Sequence, residues 1–331
     1  MRTPRERPAP RRSFRVARSL GALFAASAAL SLAAPDFPSW AFPVVVETSS
    51  PAPDDTTPLR LPGSPVAYTR ARIDAYEKGP PDWFPAEHPP MPAVVAKGRM
   101  PEVWACAYCH LPDGAGRPEN AGLAGLTKGY IIQQIANFRS GARTGSEPRR
   151  APQSRMTSIA RSATDEEVAE AAAYYSSLRP AAHLTVVETP AAPASYVTGW
   201  MLARAPGGAT EPIGSRIVEV PENLESAELR DPHTRYVAYA PVGSLKRGAE
   251  LVLSGGAGRT LQCATCHGPG LRGLGDIPPI TGRSPSYVMR QLYDIRGGKR
   301  AGSAVLMTVV VAHLSDEDMV AIAAYLASLP P

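Results

Sequence analysis

Four cysteines carry the chemistry of this chain, and all four sit in one motif type. They fall in Cys106-Ala107-Tyr108-Cys109-His110 and Cys263-Ala264-Thr265-Cys266-His267. C-x-x-C-H is the signature of c-type haem attachment. Two thiols about one turn apart can add to the two vinyl groups of one porphyrin. The adjacent histidine then lies under the iron as its proximal ligand. The spacing therefore predicts two covalently bound haem c groups, attached at Cys106 and Cys109 and at Cys263 and Cys266.

Three other chemistries use paired cysteines. A redox-active C-x-x-C needs a βαβ setting, which the flanking residues do not suggest. Two pairs could share a zinc ion, but 153 residues separate Cys109 from Cys263. Structural disulfides suit an exported chain. They do not explain why a histidine follows each pair.

Iron held by one histidine needs a second axial ligand or keeps an open site. In the first half the only methionine after the motif is Met156. In the second half Met289, Met307 and Met319 compete, but Met289 and Met319 fall in helical patterns, where methionine usually fills core space. Met307 matches Met156 through an internal repeat and is preferred. The axial sets expected are His110 with Met156 and His267 with Met307. Two filled axial positions leave no place for oxygen or peroxide, which points to electron transfer. His88, His183, His233 and His313 read as solvated or locally bonded side chains.

The repeat defines the elements that must position these residues. His110 and His267 are offset by 157, and so are Gly125 and Gly282, Tyr130 and Tyr287, Gln134 and Gln291, Gly141 and Gly298, and Arg143 and Arg300. The offset then changes to 151, pairing Met156 with Met307, Tyr174 with Tyr325 and Leu178 with Leu329. Thr164 and Ser315 are N-cap candidates, and Glu167 completes a capping box. The helices that follow end before Pro180 and Pro330. Earlier helices are expected at about 129–139 and 285–296. A further helix over 246–254 is expected before the second motif. Pro89, Pro90, Pro92 and Pro101 disfavour its counterpart before the first.

With these motifs in view, each half resembles a class I cytochrome c, and the tandem resembles the dihaem cytochrome c4-like group. The resemblance covers about half the chain. Pro278-Pro279-Ile280-Thr281-Gly282 is similar to the family's P-x-L-x-G segment, whose proline backbone faces the proximal histidine. The first half has Ala121 at the place of Pro278. The resemblance implies a mainly α fold and an exported electron carrier with one low-spin haem per domain. Its partners would be redox proteins: a dehydrogenase, a quinol-oxidising complex or a terminal oxidase. The rival class is a dihaem peroxidase-type enzyme, and a third reading is a tightly bound electron-transfer subunit of a dehydrogenase complex.

The expected organisation has five parts. Residues 1–41 read as an export signal, with seven arginines followed by the 15 small or apolar residues of Leu20 to Ala34. Ser39-Trp40-Ala41 offers a cleavage site, which would make the protein periplasmic; an uncleaved N-terminus would tie it to a membrane. Residues 42–91 form a Pro-rich N-terminal arm, either a linker or a wrap anchored by Trp83 and Phe84. Cytochrome c domains follow at 92–180 and 242–331. The connecting segment 181–241 carries short strands, one around Ile217–Val220 and one at Tyr236–Tyr239. With 36 Pro and 28 Gly, much of the chain is expected in turns and extended connectors. The net charge of +5 equals that of residues 1–41 alone, so the remainder is neutral and no nucleic-acid partner is implied. The connecting segment is acidic and is expected to dock on the basic halves. The first haem is expected to be the more exposed or differently packed one.

Overall fold

Helices form where the local signals predict them. Thr164 accepts from the Glu167 N–H and Glu167 returns a bond to the Thr164 N–H, which starts helix Asp165–Ser177. Ser315 and Asp318 do the same for helix Asp316–Ser328, so both halves use a full capping box. Helices Lys128–Ser140 and Pro285–Arg296 are capped by Thr127 and Ser284. Helix Ser244–Ser254 precedes the second motif. The first motif is instead preceded by the single turn Ala93–Ala96 and the two-residue ladder of Gly98–Arg99 with Val103–Trp104.

The computed structural model describes residue 1 and residues 37–45 and 56–331. Most of the expected export signal, and residues 46–55 of the expected arm, lie outside the described residues. Residues 38–331 cluster as one unit. Two apolar cores anchor it. One gathers Val95, Val103, Ile131, Ala172 and Tyr175 in the first half. The other gathers Leu251, Met289, Ile295, Met319 and Ile322 in the second, so Met289 and Met319 are core residues. Helix Ser244–Ser254 crosses helix Asp316–Ser328 closely. A Cβ on Gly248 would stand 2.2 Å from the Ala321 carbonyl oxygen, so only glycine fits.

Residues that do not repeat pack on the halves. Trp83 and Phe84 bury with Leu61, Ile73 and Leu229, and the Trp83 indole N–H donates to the Leu229 carbonyl at 2.7 Å. Strand Leu184–Glu188 runs parallel to Tyr236–Ala240, which pairs antiparallel with Val218–Pro221. Ala41 and Phe42 sit in the core of the second half.

A hydrogen-bonded seam joins the halves. Thr144 N–H donates to Lys299 O, and Ala301 N–H donates to Ala142 O. Arg143 donates to the Tyr287 hydroxyl at 3.1 Å and to Gln291 at 3.0 Å. Arg300 donates to the Tyr130 hydroxyl at 2.8 Å and to Gln134 at 3.3 Å. Each pairing is the repeat image of the other. The residues that reveal the duplication in sequence thus meet across an approximate twofold axis.

Candidate metal centres

The first motif is a short helix, Cys106–His110, which puts Cys106 and Cys109 on one face and His110 a step further round. The His110 Nδ1 donates to the Ala121 carbonyl at 2.8 Å. A carbonyl only accepts, so this bond fixes the tautomer and leaves Nε2 with its lone pair. Burial lowers the His110 pKa, although the bond to Ala121 works the other way, and the neutral ring that ligates iron is favoured. Burial also pushes the Cys106 thiol up to about 12 and raises Cys109. Such thiols are not poised as thiolate nucleophiles of a redox C-x-x-C.

Cys106, Cys109, His110 and Met156 line one cavity of about 470 Å³. Its walls include Ile131, Phe138 and Tyr175, and the Tyr175 hydroxyl is buried without a hydrogen-bond partner. Met156 sits within helix Ala151–Ser162, which the sequence pattern does not predict. A proline at the start of a helix costs nothing there, and Pro152 occupies that place.

The cavity is rich in buried cations. Arg117, Arg143, Arg150 and Arg290 line it beside Glu119 and Asp294. Arg117 pairs with Glu119 at 3.0 Å. Burial, with Arg290 next to it, brings the Arg150 guanidinium down to about 9. Buried charge is expensive unless paired. The surplus of guanidinium matches a porphyrin with two carboxylates. Size, apolar walls, thiols, a lone imidazole nitrogen and these cations all fit haem.

The second motif repeats the proximal geometry. Helix Ala264–His267 follows Cys263, and His267 Nδ1 donates to Pro278 O at 2.8 Å. Ala121 therefore serves as well as Pro278, because the acceptor is a backbone carbonyl. Burial pushes the Cys263 thiol up to about 11. Met307 opens helix Met307–Val311 and packs, with Cys263, against the core of the second half.

The first site is packed differently from the second, one of the two outcomes the sequence led us to expect. At the second motif Cys266 is exposed, while His267 is buried. The first is enclosed because non-repeating residues close over it. Phe42, Trp200 and Arg230 all line its cavity. Arg150 also donates to the Pro43 and Trp200 carbonyls. Missing helical pattern before the first motif suggested a looser wall, but segments remote in sequence supply that wall.

The remaining histidines stay apart from both sites. His88 bonds Asp82 at 3.1 Å, His233 bonds Glu87 at 2.7 Å, and His183 bonds the Ala181 carbonyl. Among the described residues no group of three or more His, Cys, Asp or Glu is placed to hold a bare metal ion. That geometry speaks against shared zinc.

Comparison with known proteins gives a consistent picture. The family model described as Cytochrome c matches residues 95–179. The one described as Cytochrome C oxidase, cbb3-type, subunit III matches residues 245–326. Cytochrome c4 of Pseudomonas aeruginosa is 36% identical over 229 residues, covering 68% of this chain and 83% of its own. The thiosulfate dehydrogenase electron acceptor of Thiomonas intermedia is 27% identical over 235 residues, covering 70% and 81%. Among solved structures, a thiosulfate dehydrogenase from Marichromatium purpuratum aligns with a TM-score of 0.48 at 28% identity, over 72% of this chain and 39% of that one.

Proposed function

Because the chain belongs to the cytochrome c4 family and holds two covalently bound haem c groups, we propose that it is a periplasmic one-electron carrier between a dehydrogenase or quinol-oxidising complex and a terminal acceptor. The observation that carries this reading is the first cavity's lining. Tyr287, Arg290 and Gln291 of the second half stand in the same wall system as Cys106, His110 and Met156. An electron at one site therefore has the other half's backbone and side chains as its immediate surroundings.

Bound haem supplies iron that cycles between ferric and ferrous. The chain does the rest. His110 and His267 present Nε2, their Nδ1 protons held by Ala121 and Pro278. Met156 and Met307 would hold the bound iron through thioether sulfur, which would raise the potential relative to a second histidine and deny a place to small ligands. Arg143 and Arg300 lock the halves together, so little reorganisation accompanies transfer. Two relatives named as thiosulfate dehydrogenase electron acceptors make a sulfur-oxidising dehydrogenase the first donor to test.

Export follows from the N-terminal sequence, with processing upstream of Pro38 rather than after Ala41. Cutting after Ala41 would remove the Ala41 carbonyl that Arg290 holds at 2.8 Å. Ser31-Leu32-Ala33 offers a small-x-small site further up.

The test is a redox titration of the purified protein with optical and spin-resonance detection. Two low-spin centres that stay unreactive to carbon monoxide when reduced are expected. A high-spin centre, or carbon monoxide bound at either iron, would overturn the carrier reading in favour of an enzyme.

A further inference from the structure

The first site is lined almost wholly by buried and half-buried residues. Of the residues lining its cavity, all are buried or half-buried except Arg155 and Gly199. Arg155 precedes Met156, and its guanidinium lies over the Trp104 indole, 4.0 Å from the ring centroid. Trp104 is itself part of the cavity wall, two residues before Cys106. The Tyr76 ring stacks on that indole with centroids 3.8 Å apart and planes 14° apart. Tyr76 belongs to no wall of the cavity and is 40% exposed. Tyr108 stands edge-on to both rings and donates its hydroxyl to the Asp74 carbonyl at 3.1 Å. That bond pins the backbone two residues before Tyr76. The result is an unbroken π contact from solvent to the wall beside the first attachment motif.

We infer that the Tyr76–Trp104 stack is the electron port of the first site, the surface position where a one-electron donor or acceptor protein exchanges with it. The inference rests on the carrier reading above. Tunnelling weakens steeply across empty gaps, and two aromatic rings in van der Waals contact bridge the distance that the enclosing segments impose. The Arg155 cation against the indole makes removal of an electron from Trp104 unfavourable. The rings therefore act as a bridge crossed in one step, with no aromatic radical formed. The balance is simple: the donor loses one electron, the first-site iron gains it, and no bond or proton moves.

The alternative role for the stack is a lid that only packs residues 56–91 against the first half. Lid and port predict opposite signs. Removing a lid opens the site and speeds exchange, whereas removing a port slows it. The experiment uses the full holoprotein carrying Met307→His, which lowers the second site's potential so that electrons collect at the first. Reduction by hexaammineruthenium(II) is followed by stopped flow. Tyr76→Leu is expected to slow reduction of the first site by roughly tenfold, about 1.4 kcal/mol of activation free energy. Tyr76→Phe, which keeps the ring, is expected to recover the rate. Trp104→Leu is expected to slow reduction at least as much as Tyr76→Leu does. The first-site potential and its methionine-ligation band should stay in place throughout.

An unchanged or faster rate in Tyr76→Leu would overturn the port. So would a potential shift large enough to account for the slowing, or a Tyr76→Phe variant as slow as Tyr76→Leu. Carbon monoxide binding by the parent protein would instead sink the carrier reading, before any of these variants is compared.

Discussion

In the second half, helix Ser244–Ser254 lies so close against helix Asp316–Ser328 that Gly248 has no room for a side chain. In the first half, that place is held by one turn, Ala93–Ala96, and a two-residue ladder. The halves make up the difference in distinct ways. The second closes on itself through helix packing. The first is covered by residues from elsewhere: Phe42, Trp200 and Arg230. One module can thus keep its proximal geometry while its covering changes altogether. The histidine needs only a carbonyl 2.8 Å away, which a short loop provides in both cases. Exposure is a property of whatever happens to pack outside that loop.

Burial and cations act in the same direction on the first site. A dry surrounding disfavours the more positive ferric state, and so do Arg150 and Arg290 nearby. The first site should therefore sit at the higher potential and retain the electron when one is shared.

The largest test of this asymmetry removes one partner. Replacing Cys263 and Cys266 with Ser is expected to abolish attachment at the second site alone, leaving one haem per chain by intact-mass measurement. Loss of both would show that the enclosed first site cannot mature unaided. Next in size, Met307→His is expected to lower the second-site potential on the order of 0.1 V, a fraction of the ~0.8 V range that axial ligation spans. The first site should stay nearly unchanged in the same titration. Equal shifts at both sites would mean the seam transmits more than the comparison allows.

Gly248→Ala is expected to cost about 1–3 kcal/mol of unfolding free energy by overpacking the helix crossing. A neutral result in denaturant titration would show that the crossing can open. The smallest expected effect concerns Asp113, whose repeat partner is Gly270. Burial raises the Asp113 carboxyl to about 6, against 3.8 when free. The folded state therefore holds this proton longer than the unfolded chain. Stability from this group is greatest below about pH 4, declines as pH rises toward 6 and stays lost above it. Asp113→Asn is expected to stabilise the protein at pH 7 by on the order of 1–3 kcal/mol, the gain vanishing near pH 4 in thermal melts. A gain of equal size at both pH values would assign the effect to something other than titration.

Much of the fold was legible because its signals are short-range. Thr164 and Ser315 start helices through bonds to groups three residues away. Pro180 and Pro330 mark where those helices stop. Helix Ala151–Ser162 carries Met156, Ile159 and Ala160 at helical spacing, but Pro152 at its start masks the pattern in the sequence. In the strand region, Val218–Pro221 and Tyr236–Ala240 were visible as β-branched and aromatic runs. Leu184–Glu188 carries the same signal in Thr185, Val186 and Val187, and its parallel pairing is what only the fold shows.

By itself the sequence determined the attachment chemistry and the duplication, and it proposes the proximal histidines, because each depends on residue types at fixed small spacings or on self-similarity. Tertiary structure alone decided that Tyr130, Gln134 and Arg143 meet the images Tyr287, Gln291 and Arg300, and that the first site is the covered one. Both outcomes arise from contacts between residues from about fifty to more than a hundred positions apart, and no local pattern encodes which surfaces will find each other once the chain has collapsed.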